Sequence, residues 1–582
     1  MAPHPSLAYA RPYETAETVF GVSATPDFLI QRVRSCNWET SYKALAWVAA
    51  KVSRYGADSE EVRQLTIDPL ARMEGDRSAK ALIEHARREV ALRRSEMMIA
   101  HEQSISFLQH LVLLEGGGGP EPAGDTEISM WLACAGTFLN EWAIPSSPDD
   151  LDELIALQTH LLRFNNRFDP ARTMVRSSQL FAHQPRQGPL ASPSTWERMV
   201  TGAFGATYEE FFEGMLGPIF ILAQNWGDES RNLPWPMIDV NTFVRETRLP
   251  AETFAAMMQL WAADRETLRA QIGKRLRSGL PHAPTALLYR PFVRVAGDTY
   301  VAASPWAIQH QVRFAPWARM MEAAKRMSKT GEPDEWFRGF GQQVEDWCRR
   351  VATEAQKSKS CKGRILMPES PGGEDEVEDV VLLDGKAAVL FSVKSRVMDA
   401  KAAREAVSVE KTMSWYRDYF FEDKGDDYRG GAVRQLDRRI GFIRSGRFEH
   451  LGIRKNVTIL PVIVTYDSLG ETDQLYRWIE VECRSRNLLQ GHGIGPLTLG
   501  RVDEFEELMA LAAGGKSAAA LLRRREGSDR HRRLDQIIYE QRPPKGRWRL
   551  PFFGEVFARL VKRIVSRLFG PEVADRLPAM RL

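Results

Sequence analysis

The chain has 582 residues, is 43% hydrophobic and 27% charged, and carries a formal net charge of +3. The composition is that of an ordinary globular protein, and the length exceeds what one core organises, so about two to four domains are expected. The 5 cysteines, Cys36, Cys134, Cys348, Cys361 and Cys483, form no Cys-x-x-Cys pair; this excludes a zinc or disulfide framework and fits a reducing, cytoplasmic compartment.

The opening "MAPHPSLAYARPYETAE" has no apolar core behind a basic start, so no signal peptide is expected. No apolar run reaches the length of about 18 residues that a transmembrane helix needs. Residues 1–280 read as mainly helical: "SYKALAWVAAKVSRYG", "SAKALIEHARREVALRRSEMMIAHEQSISFLQHLVLL" and "AETFAAMMQLWAADRETLRAQIGKRLRSG" repeat apolar residues every three or four positions. "EGGGGPEPAGD", Glu115 to Asp125, reads as a flexible loop or a boundary between two helical lobes. His101 and His110 fall on helix surfaces in this reading. The pattern changes near Thr285: "TALLYRPFVRVAGDTYVAAS" predicts two strands around Gly297-Asp298, a hairpin connector over 285–330.

From 331 to 525 the order becomes helix, strands, helix, strand, helix. "DEWFRGFGQQVEDWCRRVATEAQ" is an amphipathic helix, and "RILMPES", "EVEDVVLLDGKAAVLFSVKS" and "VTILPVIVTYDS" are strand segments. Helical patterns lie between and after them, which makes an α/β domain. The fold class is thus multidomain α + α/β. Gly515-Lys516-Ser517 ends like a phosphate loop, but Ala510 replaces the leading glycine and a helix precedes it, so no nucleotide site is expected there.

The tail, 526–582, is basic. From Arg523 to Arg567 there are 14 Lys/Arg against 5 Asp/Glu, so the rest of the chain is mildly acidic. Arg523, Arg524, Arg525, Arg532 and Arg533 are the candidate phosphate contacts, sequence-blind and salt-dependent; a solvated segment is the plainer reading. In "FGEVFARLVKRIVSRLFG" one face is apolar, from Val556 to Leu568, and Arg559, Lys562, Arg563 and Arg567 line the other. This terminal helix is expected to dock on the body or to bind a protein partner, as the N-terminal helical region also could.

The stretch Glu376 to Ser395 carries the chemistry. It reads as two strands around an Asp384-Gly385 turn, with Glu378-Asp379 opening the first and Lys394 near the end of the second. Alternation puts Ser392 and Lys394 on one face, with Val393 opposite. Asp379 and Lys394 meet at one edge of the hairpin, and Glu378 points to the opposite face. A carboxylate and a lysine around a divalent cation suffice for phosphodiester hydrolysis. By spacing alone, a solvated edge ion pair is the competing reading.

These residues resemble the core of the PD-(D/E)xK nuclease superfamily, the restriction-endonuclease-like fold, over about 331–525. The resemblance implies that Asp379 is the first acid, Lys394 the lysine, and Glu345 in "GFGQQVEDWCRR" the acid of the preceding helix. It implies a Mg²⁺ or Mn²⁺ ion held by Asp379, Glu345 and the main-chain carbonyl of Val393, with Lys394 positioning the attacking water. Gln435 matches the polar helix residue that many relatives place near the site. Ser392 departs from the pattern, since an acid stands there in the family. Some members with Ser-x-Lys recover the acid from a following helix, for which Glu405 and Glu410 are candidates. Otherwise Glu345 and Asp379 suffice, or the site no longer cuts.

The expected function is therefore a metal-dependent nuclease acting on nucleic acid, DNA before RNA, similar in layout to effectors of anti-phage defence. The alternative is a catalytically inactive nuclease-fold protein serving as a nucleic-acid-binding or assembly scaffold in a larger complex.

Overall fold

A computed structural model of the chain describes residues 26–55, 102–119, 169–214, 237–276, 285–331, 333–367, 377–397, 409–422, 431–527, 530–541 and 550–576, with short pieces between 124 and 156. Helices α1 (Pro26–Ser35), α2 (Trp38–Tyr55) and α3 (Glu102–Glu115) share a core built on Leu29, Leu45, Val112 and Trp131. The glycine run belongs to this core and does not divide it. Gly117 lies so close to the α1–α2 turn that an added Cβ would meet Arg34 O at 2.2 Å, and Trp38 N donates to Gly117 O at 3.1 Å. Residues on both sides of the loop, such as Val112 and Trp131, pack into the same cluster. His110 is buried in this core, not on a helix surface, with Nδ1 2.6 Å from Ser106 O. His101 lies outside the described residues.

Further along the chain come α4 (Pro170–Leu180), α5 (Pro193–Phe204) and α6 (Ala251–Trp261). Asp169 caps α4 by accepting Ala171 N and Arg172 N, and Pro170 occupies the first turn, where no N–H is needed. The hairpin around Gly297-Asp298 forms as β3 (Phe292–Ala296) and β4 (Thr299–Ala302). It is not a free-standing connector, because β1 (Met237–Asp239) and β2 (Ala262–Asp264) join it in a four-stranded sheet ordered β1-β4-β3-β2. An isolated hairpin buries too little to hold by itself. Thr285–Tyr289, read as strand, is a short helix that ends ahead of Pro291.

After α7 (Pro305–Arg313) and α8 (Ala315–Met327), the long α9 (Asp334–Gln356) begins the α/β domain. Its strands β5 (Arg364–Leu366), β6 (Val380–Asp384), β7 (Ala387–Lys394), β8 (Thr458–Thr465) and β9 (Thr498–Arg501) form one sheet in sequence order. β5, β6 and β7 are antiparallel neighbours, whereas β7, β8 and β9 run parallel. The tight turn is Gly385-Lys386, one residue later than expected. Gly385 supplies the positive φ of 65°, and Asp384 stays in the ladder opposite Ala387. α10 (Val409–Phe421) and α11 (Ala432–Arg444) cover one face through Val381, Leu390 and Ile463. α9 and α13 cover the other through Leu382, Val389 and Val462, where α12 is Asp473–Ser485 and α13 is Val502–Ala513. Helices on both sides explain why β7, "AAVLFSVK", is apolar along most of its length.

The two halves share a core, because α4 packs on α9 and on the terminal helix. With α14 at Leu534–Glu540, the chain closes on α15 (Pro551–Phe569), whose Leu560, Ile564 and Leu568 are buried. Arg563 Nε contacts Glu213 Oε1 at 2.7 Å, and Arg567 pairs with the same carboxylate. The terminal helix is therefore docked on the body, and its apolar face is covered.

A buried ionic network joins α4 to α13. Arg176 donates to Glu506 Oε1 at 3.1 Å and to Asp503 Oδ1 at 3.0 Å. Arg172 donates to Glu507 Oε1 at 2.5 Å, and Trp347 Nε1 to Glu506 Oε1 at 2.9 Å. Burial pushes the fully buried Glu506 up to about 7, against the pull of Arg176 and Arg172. Burial works the same way on Asp503, but Arg176, Arg313, Arg501 and Arg172 outweigh it and hold that carboxyl below its usual range. Removing one partner of a buried pair strands the others, at a cost of about 3–5 kcal/mol. Arg176→Ala is accordingly expected to lower the stability of the transition that unfolds this core by about that much in urea melts. An exposed control, Lys357→Ala, whose contact to Glu354 lies at the surface, should change it by less than about 1 kcal/mol.

Candidate functional site

The hairpin edge forms where β6 begins and β7 ends. Val380 pairs with Phe391, so a continued strand would set Asp379 opposite Ser392. The strand does not continue, because Asp379 sits in a bend. Its Oδ2 accepts Val393 N at 2.7 Å, capping the end of the ladder where no further β6 residue does so. Oδ1 faces α9, 3.7 Å from Arg349 Nη2. The same nitrogen lies 3.6 Å from Glu345 Oε2, and Arg349 Nη1 lies 3.5 Å from Asp346 Oδ1. Asp379 and Glu345 thus both approach one guanidinium, that of Arg349. The contact seen at Val393 is its N–H, not its carbonyl.

The bend inverts the alternation. Even-numbered β7 residues face α10 and α11, as Ala388 and Leu390 do, and Ser392 and Lys394 continue that row. The carboxyl that joins them is Glu378. It is buried, and burial first, then the charge of Asp379, pushes it up to about 7. Lys394, Ser392 and Arg439 of α11 pull the other way. The reading that sent Glu378 to the opposite face from the lysine is corrected here, because it assumed a regular strand through 378–379. Ser392 Oγ is buried near this carboxyl, yet no hydrogen bond of good geometry is made to it. Among the described residues, no carboxylate oxygen lies within 4.0 Å of Lys394 Nζ.

Gln435 and Arg439 are one turn apart on α11, so they share a helix face. Gln435 thus lies on the side of α11 that carries Arg439, the cation whose charge reaches Glu378 and which the sequence reading missed. The signal was available in that spacing, as it was for Arg349, one turn after Glu345 on α9. Glu410 is exposed in the first turn of α10 and Glu405 lies outside the described residues. The nearby acid is Glu378.

Most of the candidate tail arginines pair with other groups of the chain, and only Arg525 among them is buried. Arg525 is fully buried, its guanidinium 4.0 Å from the Tyr476 ring centroid, and donates to Arg530 O at 2.8 Å. Arg524 and Arg532 pair with Glu540 at 2.8 and 2.5 Å, and Arg533 with Asp535 at 2.6 Å. Of the five candidate phosphate contacts, Arg523 alone is exposed. Composition counts charges but not the carboxylates that fold against them.

Among the described residues, no group of three or more His, Cys, Asp or Glu side chains is close enough to hold a metal ion. No helix among them is long and apolar enough to cross a membrane. No family model matches the chain, and neither does any curated protein or solved structure.

Glu378 has a folded-state proton affinity above its unfolded one, so it is protonated more readily in the native protein. Its contribution to stability is greatest below about pH 4.5 and is lost as pH rises towards 7. Glu378→Gln removes this loss. The variant is expected to gain up to about 3 kcal/mol over the parent at pH 8, with the gain shrinking as pH falls to about 5. Urea melts across that range measure it.

Proposed function

We propose that the α/β domain is a metal-dependent nuclease of the restriction-endonuclease-like class, cutting phosphodiester bonds of DNA at the β6–β7 edge. The observation that carries this reading is the row of Glu378, Ser392 and Lys394 at the end of one hairpin, with Asp379 capping the same edge from the α9 side, backed by an α-β-β-β-α-β order of elements. The donor set fits a small divalent cation on the Glu378 side. Mg²⁺ commonly takes one or two carboxylates and keeps its waters. A buried carboxyl whose proton affinity is raised also gains when a cation takes the proton's place. It fits less well on the α9 side, where Arg349 already supplies positive charge to Asp379 and Glu345.

Bound there, Mg²⁺ or Mn²⁺ supplies Lewis-acid charge against a phosphate oxygen. The chain's own residues do the rest. Glu378 and Asp379 bring two adjacent carboxylates to the edge, and the Val393 N–H fixes the second of them. Lys394 orients the attacking water and offsets negative charge that builds on the phosphate. Ser392 leaves room for Glu378 where a further acid would repel it. Arg349 and Glu345 act from behind, as positioning residues for Asp379.

A second reading is a nuclease-fold scaffold that binds DNA without cutting. Arg349 favours it, because a fixed cation shared by Asp379 and Glu345 meets the charge need that a metal otherwise fills. Plasmid nicking separates the two. Purified protein is expected to nick supercoiled DNA with Mg²⁺ or Mn²⁺. Lys394→Ala and Glu378→Gln should each lower the rate by at least about 100-fold, and Glu345→Ala by much less. DNA binding with no cleavage under either metal sinks the nuclease reading in favour of the scaffold.

A further inference from the structure

A cavity of about 370 Å³ opens between α5, the end of α6, the short helix Thr285–Tyr289 and α8, away from the hairpin edge. Arg290, Arg319 and Arg326 line it, and Glu322 is the one acid in the described lining. Each arginine is anchored by a backbone carbonyl. Arg319 Nη2 donates to Leu260 O at 2.8 Å and lies 3.5 Å from Tyr289 O. Arg290 Nη1 donates to Ala262 O at 3.4 Å, and Arg326 Nη2 to Gly202 O at 2.9 Å. One end of each guanidinium is therefore held, while other N–H groups remain for a guest.

The charge is not balanced locally. Among the described residues, no carboxylate lies within 4.0 Å of any of the three guanidinium groups. Asp264, an acid that the Arg290 charge reaches, accepts Thr267 N at 2.7 Å and caps the next helix. Arg319 is the most deeply set. Its Nε is buried without a hydrogen bond, and burial, then the nearby Arg290, lowers its proton affinity to about 10. Arg290 repels Arg319, which is largely stripped of water, so an anion seated between them stabilises both, and the exposed Arg326 adds a third cation to the lining. A tetrahedral oxyanion offers enough acceptors to meet several forked guanidinium groups at once. The volume exceeds what one oxyanion fills and falls at the small end of organic-ligand sites, roughly 300–1,000 Å³. Leu260, Met321 and the Tyr289 side chain give the hollow an apolar side.

We propose that this cavity binds a small phosphorylated organic molecule, with Arg290, Arg319 and Arg326 around its phosphate. The chemistry is shared by nucleoside phosphates and sugar phosphates. The inference does not rest on the nuclease reading, and the site would exist equally in a scaffold.

Calorimetric titration of the full chain tests it, with inorganic phosphate, sulfate, AMP, ADP and glucose 6-phosphate as probes. At least one organic phosphate is expected to bind, more tightly than inorganic phosphate or sulfate, with affinity falling as salt rises. AMP and ADP against glucose 6-phosphate tell which organic group the apolar side prefers. Arg290→Ala and Arg326→Ala should each weaken binding by about tenfold or more. Arg319→Lys, which keeps the charge but loses the fork, tests the deepest contact. Melting temperatures without ligand show whether each variant is folded. Binding that is absent for every organic phosphate, equal for sulfate, or unchanged in folded Arg290→Ala and Arg326→Ala protein overturns the proposal.

Discussion

Two arginines of α4 reach the α/β domain and meet three acids of α13, and the rest of the architecture hangs on that contact. Arg172 and Arg176 are one turn apart, and Asp503, Glu506 and Glu507 fall on one face of their helix. Such a set accepts one alignment. A slide by one turn would strand buried charges with no water to solvate them. Ion pairs of this kind add little net stability over apolar packing, but they discriminate strongly between arrangements. Burial raises the proton affinity of Glu506 more than Arg176 and Arg172 lower it, so this acid takes up a proton readily near neutrality. With α4 fixed, α9 is held from both sides, by α4 and by the sheet. That is the helix whose Arg349 reaches Asp379, so the network sets the geometry behind the site.

Much of the α/β domain was legible in the sequence because its elements obey simple periods. β7 and β8 read as apolar runs and are buried strands, and α9, α11 and α13 show apolar faces that meet the sheet. The hairpin and its lysine were also readable. Alternation failed at 378–379 for a local reason. It holds only while a residue pairs in a ladder, and Asp379 is the residue at which pairing stops. Its carboxylate replaces a backbone acceptor, turns out of the row, and lets Glu378 take the position beside Ser392 and Lys394. The helix cations Arg349 and Arg439 escaped because a charged helix offers many candidates. Which one faces a strand end depends on how helix and sheet are set against each other.

The basic tail shows what a count of charges leaves out. A local excess of positive charge suggested a surface for phosphate, but burial needs partners, and the partners come from elsewhere in the chain. Glu540 holds two of the arginines, Asp535 a third, and Tyr476 lies under the ring-stacked Arg525. These contacts tie α14 to the turn that precedes it and hold Arg525 against α12. For the described part of the tail, these contacts engage most of the candidate charges within the chain.

Ser392 takes on a different meaning in this light. The two sides of the hairpin edge are not electrically equivalent. On the α9 side Arg349 lies near Glu345, Asp346 and Asp379, and positive charge is already built in. On the α11 side Lys394 and Arg439 reach Glu378, yet burial and Asp379 outweigh them and leave it with a raised proton affinity. The unmet need for positive charge is therefore on the Glu378 side. An acid at 392, facing the same row as Lys394, would add a further carboxylate to that need within a buried space. A serine there is small and neutral, and it leaves the position to Glu378 from the neighbouring strand. Ser392 and the doublet Glu378-Asp379 are thus two parts of one arrangement: the small neutral residue on β7 leaves the buried space beside Lys394 to the carboxyl of Glu378.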